Sequence, residues 1–144
     1  MTIADKMQVE ILSPEKSLLN TSAASLVIPG KLGYMTILPG HTTLISELGV
    51  GTMHVHGSSS GKEEAYFIAG GFAEVQGDRV RVLVDVIERP TEIDVERARK
   101  AEARARNRLS GQSKESDLID IDYARAQGAL LRAQARMAAA GRIG

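Results

Sequence analysis

Apolar and polar positions alternate with a period of two through residues 7–87, and turn formers cut the alternation every eight to ten residues. Met7, Val9 and Ile11 alternate with Gln8 and Glu10 before Ser13-Pro14 breaks the run. The same pattern predicts short strands at 17–21, 25–28, 34–38, 42–48, 50–55, 64–69, 72–75 and 79–87. Pro29-Gly30, Pro39-Gly40, Gly49, Gly70-Gly71 and Gly77-Asp78 separate them, and 58–62 reads as a polar loop. Nine or ten short strands with no helical period between them point to an antiparallel β-sandwich or barrel, not to βαβ units. Val9, Ile11, Leu26, Ile28, Ile37, Leu44, Leu48, Phe67, Ile68, Val75, Val82 and Val84 form the expected core.

The period changes at Pro90, which has no N–H to give to a ladder. Thr91 stands three residues before Asp94, a spacing that suits the free N–H groups of a new helix. A helix is expected from Thr91 to Leu109, with Ala98, Ala101, Ala105 and Leu109 as one narrow stripe. Ser110-Gly111 closes it, with Gly111 in a left-handed cap, and 112–117 is a polar loop. A second helix opens near Asp120 or Ile121, carries Tyr123, Ala126, Leu130, Ala133 and Met137 on one face, and frays at Gly141. The fold class is therefore α+β: a sandwich over 1–89, then an antiparallel two-helix hairpin over 90–144. At about 0.8 kcal/mol per buried methylene, alanine stripes stabilise little. The hairpin is accordingly expected to be loosely held and able to dock elsewhere.

Charge divides along the same line. Residues 1–89 hold seven Lys/Arg and ten Asp/Glu, a net of −3, whereas 90–144 hold eleven and eight, a net of +3. Nine of the eleven bases in the second part are arginine, whose planar fork suits carboxylate and phosphate. On charge alone, a solvated helix surface is the simpler reading. Of the 144 residues 43% are hydrophobic and 25% charged, and there is no cysteine, so neither disulfides nor thiolate chemistry are available. No apolar run is long enough to span a membrane, and MTIADKMQVE has no secretory or transit character, which points to a bacterial cytoplasmic protein.

Catalytic constellations are missing. His54 and His56 share one strand face, and with His41 as the remaining histidine they read as solvent-facing rather than metal ligands. The stretch from Gly57 to Lys62 is one residue short of a phosphate loop, and Glu63 stands where a magnesium-binding hydroxyl belongs. With two Phe and no Trp, a base-stacking nucleic-acid barrel is disfavoured.

The order of motifs resembles the epsilon subunit of bacterial F-type ATP synthases over essentially the whole chain. The matching stretches are Ile37-Leu38-Pro39-Gly40-His41 with Leu44, Gly70-Gly71-Phe72-Ala73-Glu74-Val75, Val82-Leu83-Val84 leading to Glu88, and Ile93-Asp94-Val95-Glu96-Arg97-Ala98. Tyr34 and Thr36 depart from the pattern, standing where many members have an acidic residue and a second glycine. The resemblance implies a non-catalytic subunit of the rotating central stalk, peripheral at the cytoplasmic face of the inner membrane. Its sandwich would grip the gamma subunit and rest on the c-subunit ring, with His41, Tyr34, Gly71 and Phe72 as contacts. Its hairpin would either fold on the sandwich or extend towards the alpha and beta subunits and block ATP hydrolysis.

No cofactor is required by the resemblance, but in some members the folded hairpin binds ATP as a regulatory ligand. The family's nucleotide residues fall here on Glu88, Ile93, Asp94, Arg97, Arg104, Arg132 and Arg136. Asp94, Arg97 and Arg104 share a face of the first helix, and Arg132 and Arg136 are one turn apart on the second. The alternative has Asp94 as a helix cap and the arginines solvated or facing acidic partners. Ile121-Asp122-Tyr123-Ala124-Arg125-Ala126 repeats the helix-opening pattern and is not read as a second nucleotide site. The rival function is a nucleic-acid or acidic-partner binding module built on the arginine helices, against which zero net charge and scarce aromatics speak.

Overall fold

The computed structural model describes residues 5–59, 61, 64–110 and 120–141. Its strands are β1 Met7–Leu12, β2 Ser17–Ala23, β3 Ser25–Gly30, β4 Gly33–Ile37, β5 Leu44–Glu47, β6 Val50–His56, β7 Glu64–Gln76 and β8 Arg79–Glu88. A 3-10 turn, Pro90–Glu92, leads to α1 Val95–Leu109, and α2 is Asp120–Ala140.

Eight strands among the described residues, where the sequence led to an expectation of nine or ten, reflect what Gly70 and Gly71 do. Their φ angles of 79° and 123° bend β7 without ending it. Pairing with β8 runs through the bend, with Ala69 opposite Val86 and Gly71 opposite Val84. On its other edge β7 exchanges partners there: Glu64 to Ala69 pair with β6, and Phe72 to Val75 with β5. The connected order β2-β1-β8-β7-β6-β3-β4, with β5 on β7, is thereby turned over on itself into two layers. A second difference lies at β1, which pairs β8 in parallel from Gln8 opposite Arg79 to Leu12 opposite Leu83. The other strand pairings are antiparallel. Alternation within a strand is blind to the direction of its neighbour, so that pairing could not be read from sequence.

Between the layers Val9, Ile11, Leu26, Ile28, Ile37, Leu48, Ile68, Val75, Val82 and Val84 are buried together as expected, with Leu44 partly buried at their margin. Met7, Ala23, Met53, Val55, Tyr66, Ala73 and Val80 complete the cluster. Phe67 is the exception. Its ring is fully buried but stands outside this cluster, on the opposite face of β7.

That face is covered by α2, against which α1 packs. Ala98 and Ala105 of α1 and Ala126 and Ala133 of α2 are buried, a seven-residue repeat on each helix that lets the two axes approach closely. Ala101, Leu109, Leu130 and Met137 are half-buried at the edges of the seam, and Tyr123 is exposed. The hairpin lies folded, with α2 over β6, β7 and the 3-10 turn and with Ala139 buried. Helix one starts later than expected. Asp94, not Thr91, is its N-cap, the Oδ1 accepting from the Arg97 N–H at 3.0 Å, while Thr91 sits inside the 3-10 turn. Gly111 and the loop 112–117 lie outside the described residues, as do Ser60 and Lys62 of the polar loop.

Candidate functional site

The sandwich and the hairpin meet at the end of β8. The alternation of β8 breaks after Val84, so that Ile87 packs against the core and Glu88 is left to meet α2, where Arg136 reaches it. Arg136 Nε donates to Glu88 Oε2 at 2.8 Å and to Oε1 at 3.2 Å. Both side chains are about two-thirds buried, at 32% and 28% exposure, so the pair is screened less than one on an open surface. The guanidinium also lies 4.6 Å over the ring of Phe67, whose π face attracts it. One arginine thus ties α2 to two strands.

The seven residues expected at a nucleotide site are placed unequally. Glu88 and Arg136 are joined, Ile93 closes the 3-10 turn through its N–H to the Pro90 carbonyl, and Asp94 caps α1. Arg97, Arg104 and Arg132 are exposed, and among the described residues their guanidinium groups enter no hydrogen bond or ion pair. A Cβ on Gly128 would stand 3.2 Å from Arg132 Nη1, so the missing side chain gives Arg132 its room one turn away. Four guanidinium groups and two carboxylates, one of them already paired, leave a surplus of positive donors that fits a polyphosphate in kind.

The four expected contact residues of the sandwich do not form one patch. Tyr34 is 61% exposed, yet its hydroxyl accepts from the Thr52 N–H at 3.1 Å, so only the ring is free to touch a partner. Phe72 is 53% exposed and opposes Glu47, which pairs Lys31 at 3.1 Å. His41 lies towards the other end of β5 in a loop pinned by the Gly40 N–H on Asp78 Oδ1, its Nδ1 facing the Thr42 carbonyl at 2.9 Å. Gly71 is buried, and a Cβ there would meet the Leu83 carbonyl oxygen at 2.0 Å, so it serves the bend of β7. His54 and His56 are half-buried, not solvent-facing. They stack with centroids 5.8 Å apart on the side of β6 that α2 covers. Among the described residues no group of three or more His, Cys, Asp or Glu could hold a metal ion.

Sequence reasoning missed Phe67 as the platform for Arg136, and Ile45 and Leu83 as neighbours of Phe72. A signal existed for Leu83. It is an apolar residue in the outward phase of β8, between Arg81 and Asp85, and it is 43% exposed directly opposite Phe72.

A β-sandwich carrying a folded, alanine-seamed two-helix hairpin is the class of protein that these elements define. The comparisons give the family. The ATP synthase delta/epsilon chain β-sandwich domain matches residues 6–90, and the long α-helix domain of the same chain matches 91–141. The ATP synthase epsilon chain of Myxococcus xanthus is 40% identical over 135 residues, covering 94% of this chain and 95% of its own. That of Moorella thermoacetica is 42% identical over 137 residues, covering 95% and 98%. The chain belongs to the delta/epsilon-chain family of ATP synthases, within the epsilon chains of bacteria, as its motifs lead one to expect. In fold it is similar to a chain of the Euglena gracilis mitochondrial ATP synthase OSCP/F1/c-ring structure, with a TM-score of 0.82 and 24% identity over 96% of this chain and 84% of that one. A chain of the Tetrahymena thermophila central stalk/c-ring structure gives 0.62 at 14% identity, covering 96% and 99%.

Proposed function

We propose that this chain is a non-catalytic subunit of the rotating central stalk, which couples the gamma subunit to the c-subunit ring and restrains ATP hydrolysis through its hairpin. The observation that carries the reading is the clamp of Arg136 on Glu88 and Phe67. It fastens a hairpin whose own seam is little more than alanine, so the folded form rests on a few contacts that an extended form would give up. A ligand that prefers the folded form depletes the extended, inhibitory form only by the ratio of its affinities for the two.

ATP is the proposed ligand, held by Arg97, Arg104 and Arg132 with Ile93 and Asp94 beside them, and with Arg136 shared between Glu88 and the phosphates. The exposed row Ile45, Phe72 and Leu83 supports a protein partner on the outer face of β5, β7 and β8, assigned here to gamma. Tyr34 and His41 are assigned to the ring, and the alpha and beta subunits receive the extended hairpin. No helix among the described residues is long and apolar enough to cross a membrane. The proposed location is accordingly peripheral, at the cytoplasmic face of the bacterial inner membrane.

The test has two parts. Full-length chain and a chain cut after Arg89 are added to the matching catalytic complex lacking this subunit. Full-length chain should lower ATP hydrolysis and the cut chain should not; equal rates would sink the inhibitory role. Calorimetric titration of the isolated protein with ATP, beside an Arg132→Ala, Arg136→Ala variant, then tests the ligand. Saturable heat lost in the variant supports the nucleotide site, and no heat at millimolar ATP removes it.

A further inference from the structure

The strand path ends at β4, whose outer edge is open. The Pro29 carbonyl accepts from the Gly49 N–H at 2.9 Å, on the β6 side of β3. By the alternation of an antiparallel ladder, Ile28 and Gly30 are then the residues that bond β4, through Met35 and Gly33. Tyr34 and Thr36 are left with N–H and C=O pointing away from the sheet, and among the described residues no backbone bond takes them up. The Tyr34 side chain leans the other way. Its hydroxyl is held by the Thr52 N–H on β6, so the ring lies back across β3 and leaves the edge clear.

Nothing in the sequence protects this edge. Natural sheets blunt their edges with charge, proline or a bulge. Residues 32–40 carry no charge, β4 holds no proline, and its register with β3 is unbroken from Leu26 opposite Ile37 to Gly30 opposite Gly33. The adjoining Lys31 is committed to Glu47 at 3.1 Å. Leu32 at the turn is fully exposed, and Tyr34 and Leu38 are more than half exposed. At the far end of the path β2 differs, because its Ser22 carbonyl accepts from the Ser59 N–H at 3.0 Å.

We propose that β4 is a docking edge for a second copy of this chain, the two β4 strands pairing antiparallel about a two-fold axis at Met35. In that register Tyr34 and Thr36 of one copy oppose Thr36 and Tyr34 of the other, so the outward N–H and C=O groups of both copies are satisfied together. The same register sets Leu32 against Leu38 of the second copy, because each lies three residues from Met35. The exposed apolar side chains of this edge are thereby covered in one step, and the half-buried Met35 meets its own equivalent. No like charges are brought together, since the apposed segments carry none and the chain has no net charge. This self-complementarity favours a second copy over an unrelated strand. A strand pair of this size buries little surface, so it forms at high concentration and comes apart on dilution. Because Tyr34 is also assigned to the ring, the paired form belongs outside the assembled rotor.

The test is sedimentation equilibrium of the full-length chain from about 10 µM to about 1 mM, the span that so small an interface calls for. The mass should rise from one chain to two and stop there. The Tyr34 and Thr36 amides should exchange with solvent about tenfold more slowly at the high concentration than at the low, or slower still. Leu32→Glu and Leu38→Lys should each move the association to about tenfold higher concentration, and the double variant, which sets opposite charges in register, should recover most of the loss. Thr36→Pro removes an N–H that the single chain leaves unbonded, and it should abolish pairing while the folded spectrum stays in place. A chain that remains single at about 1 mM overturns the proposal. So does a mass that grows beyond two, a two-chain species whose Tyr34 and Thr36 amides exchange as fast as in the single chain, or single variants that pair as the parent does.

Discussion

Arg136 reaches back forty-eight residues to Glu88 and donates through one nitrogen, Nε, to both oxygens of the carboxylate. The remaining guanidinium nitrogens are not committed to Glu88 and stay available for a second acceptor, which is what a residue shared between a latch and a phosphate requires. Glu88→Gln and Arg136→Ala should each loosen the folded hairpin by about 1 kcal/mol, the scale of a partly buried pair. Spin labels at the exposed Ser17 and Asn107 read the result as a broadened or lengthened distance distribution. Unchanged distances in both variants would leave the pair without a latching role.

The stacking of Arg136 on Phe67 is separable from that ion pair. A double-mutant cycle of Arg136→Gln with Phe67→Leu, read by hydrogen exchange in α2, should give a coupling of about 0.5–2 kcal/mol. Additive effects would mean that the 4.6 Å approach carries no energy of its own.

The alanine seam admits nothing larger. Ala105 is 3% exposed in the contact with α2, and Ala105→Leu should overpack it by about 1–3 kcal/mol. Limited proteolysis should then cut within the helices at rates well above the parent, while the sandwich resists as before. Equal cutting rates would show a seam with room to spare.

At Gly71 the backbone φ is 123° and a Cβ would lie 2.0 Å from the Leu83 carbonyl oxygen. Gly71→Ala should destabilise the sandwich by at least about 3 kcal/mol, seen as a lower denaturant midpoint. A midpoint within the error of the parent would contradict the geometry.

Tyr66 makes stability depend on alkaline pH. Burial raises its pKa above the ordinary 10.0, the nearby Glu64 charge raises it further, and Arg89 opposes them. The folded protein therefore holds the phenolic proton more tightly than the unfolded chain. The stabilisation is complete below pH 10 and is lost as pH rises from there through the folded-state value. Urea midpoints taken from pH 9 upward should fall, and the part of the fall due to this group should vanish in Tyr66→Phe.

Much of this architecture was legible because its causes are local. The alternation of Val80, Val82 and Val84 marks β8, and Pro90 marks where it stops. The alanine repeats announce the hairpin because small residues at a seven-residue spacing leave one face for a partner. What stayed hidden depends on neighbours far along the chain. Gly70-Gly71 looks like a turn, and it takes the uninterrupted β8 partner to make it a bend. Phe67 counts as core by hydrophobicity, and it takes α2 above it to show that it serves the opposite face. Among the expected site residues, sequence spacing paired Arg132 with Arg136 along one helix, but the link from Arg136 to Glu88 crosses from helix to strand and appears only in three dimensions.

The parallel ladder between β1 and β8 also dictates when this molecule can be finished. Residues 8–12 wait for residues 79–83, so on a translating ribosome the opening segment is made roughly seventy positions before its neighbour exists. Until then β1 holds only β2, and one full row of its amides and carbonyls is bare to other nascent chains. The sandwich can close only once β8 has left the ribosome, by which time much of the hairpin behind it has been synthesised. A ribosome paused before β8 has emerged would hold the chain at its most adhesive, and one paused after β8 is clear would hold it already sealed.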